Sequence, residues 1–156
     1  FLSGCPRREA NALRIRCLPE PIGRGLRIPV PRGGEMGHGV RIIEDPALMV
    51  EALERQVPLE VCPSSNVCLH VYPQLEMHPL PHLDRMGLLV TLNSDDPPLF
   101  KTNLRREYEL AAAVFGYDRK GLIRLARNGF LASRAEPGLK ERLLREFDDW
   151  AQAQTF

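Results

Sequence analysis

No stretch of this chain stays apolar for the roughly 20 residues that a membrane-spanning helix needs, so a membrane partner is not expected. None of its four cysteines has C-x-x-C spacing, which excludes a zinc ribbon and leaves no convincing disulfide framework. A reduced, cytoplasmic setting is the expectation. An excess of one charge is also missing: the net charge is +1, which argues against a dedicated nucleic-acid binder. Length is the last shortage. The 156 residues suit one domain with a core but fall well below the roughly 250 of a complete eight-unit barrel. What remains is ordinary for a soluble globular protein, with 44% hydrophobic and 26% charged residues.

The near-neutral total hides an asymmetry. Residues 1–34 carry seven Arg against Glu9 and Glu20, a balance of +5, so the remainder carries −4. The same stretch holds five Pro and five Gly, and no apolar periodicity in it lasts two helical turns. Such a composition forms a core poorly. It is expected to be a segment apart, residues 1–35, either disordered or a frameshifted reading of a GC-rich gene, with the folded domain over 36–156. A basic arm for nucleic acid is the less favoured alternative. The start at Phe1 rather than Met is in keeping with a fragment.

From residue 36 onward the pattern becomes regular. Asp45-Pro46 predicts an N-cap and first helical residue, followed by Leu48, Met49, Ala52 and Leu53 at helical spacing. Leu59-Glu60-Val61-Cys62 predicts a short buried strand, stopped by Pro63-Ser64-Ser65-Asn66. Prolines 73, 79 and 81 predict a loop, then a short helix around His82–Met86 that Gly87 ends. A second strand is expected over Leu88–Leu92, and another just before Gly37. Three amphipathic stripes close the chain: Leu104–Phe115, Leu122–Phe130 and Leu139–Trp150. Short apolar strands alternating with such helices predict an α/β fold of βα units around a parallel sheet. Trp150 and the Phe residues sit at core spacing.

Each predicted strand ends on a distinctive cluster: Gly37-His38-Gly39, Cys62-Pro63-Ser64-Ser65-Asn66 and Asn93-Ser94-Asp95-Asp96-Pro97. The adjacent carboxylates Asp95 and Asp96 repel each other, so the pair suggests a shared cation or ligand. Pro97 blocks a central strand and is expected to turn the chain into a loop, at the edge where α/β folds place their chemistry. Bland readings stand beside this one. Asp-Asp-Pro alone is commonly a helix N-cap or turn. For His38 between two glycines the alternative is an exposed loop histidine, with the site role favoured, and Cys62 reads as a packed strand residue. His70, His78 and His82 are read as loop structure, because Pro79 and Pro81 oppose a regular helix.

Taken in order, Gly37-His38-Gly39-Val40-Arg41, Glu60-Val61-Cys62-Pro63-Ser64-Ser65-Asn66, His78-Pro79-Leu80 and Leu92-Asn93-Ser94-Asp95-Asp96-Pro97 resemble the adenosine/adenine deaminase family. Glu107-Tyr108 and Ala126-Arg127-Asn128 follow as helix landmarks. The resemblance covers about residues 36–150 and implies the last three βα units of a TIM (β/α)8 barrel, incomplete as it stands. It implies that Asp95 ligates zinc, that Asp96 hydrogen-bonds the purine ring, and that His38 is catalytic, standing beside the metal-bound water. The reaction implied is hydrolytic deamination of adenosine, with adenine deamination or a non-catalytic interaction fragment as alternatives. Zinc suits that chemistry because it lowers the pKa of bound water to about 7.

The resemblance also exposes absences. The family's early His-x-His zinc pair and its His-Ala-Gly-Glu motif, whose Glu is the proton shuttle, do not occur in this chain, where His38 is the first histidine. One carboxylate does not hold zinc in a tetrahedral site. The chain is therefore expected to be inactive alone, not to keep its Zn2+ unaided, and to self-associate through unclosed barrel edges.

Overall fold

The computed structural model describes residues 36–154; the segment over 1–35 lies outside the described residues. Three short parallel strands form the sheet: β1 (Met36–Gly37), β2 (Leu59–Val61) and β3 (Val90–Leu92), in spatial order β1-β2-β3. Met36 pairs with Leu59, and Leu59, Glu60 and Val61 pair with Val90, Thr91 and Leu92. Parallel neighbours require crossovers, and helices supply them. Helix α1 (Pro46–Glu54) joins β1 to β2. Helices α2 (Pro63–Cys68) and α3 (Leu80–Arg85) lie between β2 and β3. After β3 come α4 (Pro97–Phe100), α5 (Leu104–Ala113), α6 (Arg119–Ala132) and α7 (Pro137–Ala153). The α/β class with a parallel sheet is as the sequence predicts.

The strands read as apolar runs because they are covered. Leu59, Val61 and Val90 are wholly buried, and every residue of β3 is buried. That pattern belongs to parallel strands with material on both faces. Leu80 and Leu83 of α3 and Leu125 of α6 complete the core. Helix α1 starts where the sequence places it: Asp45 Oδ1 accepts the Ala47 and Leu48 N–H groups at 3.0 and 3.1 Å, with Pro46 next. Its buried face is Leu48, Met49 and Ala52. Helix α5 is capped by Asn103, which accepts from Arg106 N at 2.9 Å, and α6 by Asp118, which accepts from Gly121 N at 2.8 Å.

Four expectations need correction. Pro63-Ser64-Ser65-Asn66 stops β2 as expected, but does so by starting a helix: Pro63 occupies the first helical position, where its missing N–H costs nothing, and α2 follows at once. Pro97 likewise opens α4 rather than a loop. Pro81 sits in the first turn of α3, so His82 belongs to the predicted short helix and not to a loop, while His78 lies in the loop just before it, as expected, but is buried. The third terminal stripe is not core: α7 buries none of its residues among the described part of the chain, and Trp150 is 53% exposed.

No described helix is long and apolar enough to cross a membrane.

Candidate functional site

The carboxyl ends of β1, β2 and β3 lie side by side and deliver His38, Ser65 and Asp95 to one place. His38 follows β1 directly with φ 51°, and Asp95 stands three residues past β3 with φ 57°, both in the left-handed region. Few residue types other than glycine adopt that region, and Asp and His are among those that do so more readily. These backbone reversals turn both side chains off their strand directions. His38 Nε2 then lies 3.6 Å from Asp95 Oδ2, and the Ser65 hydroxyl donates to the same oxygen at 2.7 Å. Two groups therefore converge on Oδ2. Among the described residues no hydrogen bond falls on Asp95 Oδ1. His38 Nδ1 is also buried without a partner among them.

Asp96 is placed differently from its neighbour. It is exposed, and its Oδ1 accepts Leu99 N at 3.1 Å, capping α4. The bland reading of Asp-Asp-Pro as an N-cap is thus correct for Asp96, while Asp95 does something else. Capping occupies one oxygen of this exposed carboxylate. The structure brings His38 and Asp95 together; Asp96 is adjacent along the chain but tied to α4.

Beneath these residues lies a buried polar layer. Ser64, Ser65 and Asn66 of α2, Glu107 of α5 and His78 are each less than a tenth exposed. Glu107 Oε2 accepts from Ser64 N at 3.2 Å, and the Thr102 hydroxyl donates to Glu107 Oε1. Leu80 N donates to His78 Nδ1 at 3.2 Å, so the proton of this imidazole is on Nε2, which contacts Asn66 Oδ1 at 3.0 Å. Burial pushes the His78 pKa down to about 4, which keeps the ring neutral. Cys62 is buried and its thiol is pushed upward, first by burial and then by the charges of Glu60, Asp95 and Glu107. A thiol so disposed is not a nucleophile, in keeping with the packed strand residue expected from sequence. Asn128 Nδ2 donates to Val90 O at 2.8 Å and fixes α6 against β3.

Two of these residues carried no assigned role in the sequence. Ser65 stood inside a quoted motif, and Glu107 served only as a landmark. Glu107 had a usable signal: it falls at i+3 from Leu104 and i−4 from Ala111, a charge on an otherwise apolar stripe.

Whether this set fits a metal ion is a question of donors. Asp95 Oδ1 takes no hydrogen bond among the described residues, and His38 Nε2 lies 3.6 Å from Oδ2. Zinc takes about four ligands, and no group of three His, Cys, Asp or Glu among the described residues could hold an ion. The described residues offer one ready carboxylate oxygen and do not by themselves fit a zinc ion.

An adenosine deaminase family profile matches residues 32–150. An aminodeoxyfutalosine deaminase of Streptomyces coelicolor is 43% identical over 122 residues, covering 78% of this chain and 32% of that protein. An adenine deaminase of Agrobacterium fabrum is 42% identical over 133 residues, covering 85% of this chain and 40% of that protein. Among solved structures, an adenine deaminase of Arthrobacter aurescens superposes with TM-score 0.72 at 36% identity, over 76% of this chain and 36% of its own. A Burkholderia ambifaria amidohydrolase with bound Zn superposes with TM-score 0.61 at 25% identity, over 77% of this chain and 36% of its own. The chain spans between a third and two-fifths of the length of these relatives.

Proposed function

This chain belongs to the adenosine deaminase family, and on that premise we propose that it is the C-terminal three-βα-unit portion of a zinc-dependent barrel hydrolase that deaminates an aminopurine. The observation that carries the reading is the convergence of His38 and Ser65 on one oxygen of Asp95, at the carboxyl edge of a parallel sheet, with no hydrogen bond to the other oxygen among the described residues. Adenine and adenosine are the substrates to distinguish. The names of the relatives favour testing adenine first.

In this reading each residue has one task. Asp95 would be the ligand this chain contributes to zinc, its Oδ2 held by the Ser65 hydroxyl. Zinc, when bound, makes water available as a nucleophile near neutral pH. His38, 3.6 Å from Asp95, would orient a water there by hydrogen bonding. Asp96, pinned by its cap on α4, presents its second oxygen to the purine ring. The amine leaves as ammonia and oxygen takes its place. The remaining ligands and the proton shuttle lie outside the described residues. The domain runs over residues 36–156, in the cytoplasm, with β1 and β3 as the edges through which it associates with further strands.

Purified chain should therefore hold less than stoichiometric zinc and show no turnover of adenine or adenosine by ultraviolet absorbance. Mixing or co-expression with a chain supplying the N-terminal units of such a barrel should produce zinc-dependent activity that Asp95→Ala abolishes. Stoichiometric zinc with turnover from this chain alone would refute the inactivity. No activity on co-expression would remove complementation from consideration.

A further inference from the structure

Glu107 is the one acidic side chain among the described residues that is fully buried, at 0% exposure, and no cation pairs with it there. A buried carboxylate without a partner costs several kcal/mol unless hydrogen bonds satisfy it. Its two oxygens are satisfied from two different segments. Oε2 takes the Ser64 N–H in the first turn of α2, directly after β2. Oε1 takes the Thr102 hydroxyl, in the link between α4 and α5 that follows β3.

The elements at those two attachments are the ones that carry the site. Ser64 is followed by Ser65, whose hydroxyl holds Asp95. Thr102 N donates to Pro97 O at 3.2 Å, fixing α4, whose cap is Asp96, the neighbour of Asp95. The connections close into a ring: Glu107 to α2, α2 through Ser65 to Asp95, Asp95 through Asp96 to α4, and α4 through Thr102 back to Glu107. A closed ring fixes the separation of these two segments in a way that either bond alone would not.

We propose that Glu107 is a positioning residue: its buried carboxylate locks α2, which follows β2, to the link between α4 and α5, which follows β3, and so sets the Ser65–Asp95 contact. Its relevance to deamination rests on the site reading above, but its effect on Asp95 does not. The test is therefore read without turnover or added metal. In uniformly 13C,15N-labelled full chain at a fixed pH of about 7.5, above the carboxylate range, the Asp95 side-chain carboxyl resonance reports whether the Ser65 hydroxyl still donates. Ser65→Ala supplies the reference shift for loss of that bond.

Glu107→Ala should move the Asp95 resonance in the same direction as Ser65→Ala. It should also speed exchange of the Ser64 amide by about 10- to 100-fold, as expected for loss of a hydrogen bond to a charged acceptor. Glu107→Gln keeps shape and two bonding atoms, one accepting from Ser64 N–H and one donating to Thr102, and should restore the wild-type resonance. Thr102→Val opens the ring at one attachment only and should give an intermediate shift, which serves as the decisive variant should Glu107→Ala not fold. A lowered melting temperature with the Asp95 resonance unmoved in Glu107→Ala, or in Thr102→Val where that variant decides, would overturn the proposal and leave Glu107 a stability residue. Failure of the deaminase assay would leave this outcome unaffected, so the two readings fail separately.

Discussion

Helices α6 and α7 look alike in the sequence and behave differently in the fold. Both carry an apolar stripe at helical spacing, over 14 and 17 residues. Helix α6 puts Gly121, Leu125 and Asn128 into the interior, with Asn128 bonded to the β3 backbone at Val90 O. Helix α7 buries nothing fully among the described residues. It rests on α6 through the Phe130–Phe147 ring contact at 5.0 Å and the Arg127–Asp148 ion pair. The difference is one of layer. A stripe facing the sheet is enclosed from two sides, whereas the same stripe facing another helix leaves its flanks in water. Periodicity identifies which face is apolar and says little about how much covers it.

The comparison breaks first at Leu125. This side chain is wholly buried between α6 and β3, and Leu125→Ala should cost about 2–5 kcal/mol by denaturant unfolding. A loss below about 1 kcal/mol would place α6 in the same loosely covered class as α7.

Acid should sharpen the contrast next, because the interior holds a neutral imidazole and α7 holds none. His78 has a folded pKa of about 4 against an ordinary value of 6.5. Between those values the unfolded chain takes up a proton that the folded chain refuses, since burial disfavours the charged ring. The contribution of His78 is thus complete above pH 6.5 and is lost as pH falls toward 4, about 3 kcal/mol in all. Unfolding midpoints compared at pH 7 and pH 4.5 should differ clearly less in His78→Gln than in the wild type. Equal differences would mean that the acid sensitivity comes from elsewhere.

The smallest effect is expected at Trp150. It is half exposed and meets Phe147 at 5.6 Å, so Trp150→Ala should cost about 1 kcal/mol or less. A cost as large as that of Leu125→Ala would show that α7 has a covering that the described residues do not contain.

The same contrast explains what was legible in the sequence. Strands β2 and β3, the Asp45 cap and the three closing helices follow from local pattern, and all stand close to where the sequence predicts them. Helix α2 was missed because Cys-Pro-Ser-Ser reads as a stop, although proline is favoured at a first helical position. His78 was taken for an ordinary loop residue, since nothing near it in sequence announces that α2 would enclose it. The hydroxyl bond from Ser65 to Asp95 spans 30 residues, and the Glu107 bond to Ser64 spans 43. Such links have no period and leave no local trace, so motif words located the clusters without describing how they are braced.

The left-handed backbone at His38 and Asp95 has a consequence for heredity as much as for shape. Positive φ screens incoming side chains before chemistry does, passing glycine, Asn, Asp and His with little penalty and resisting branched ones. From an Asp codon, a single base change reaches Asn, Gly and His, all of which this backbone accepts. Each removes the carboxylate and leaves the turn intact. Drift at Asp95 therefore runs more easily toward a folded chain without this carboxylate than toward a broken one, and such a descendant would look, in outline, like the original.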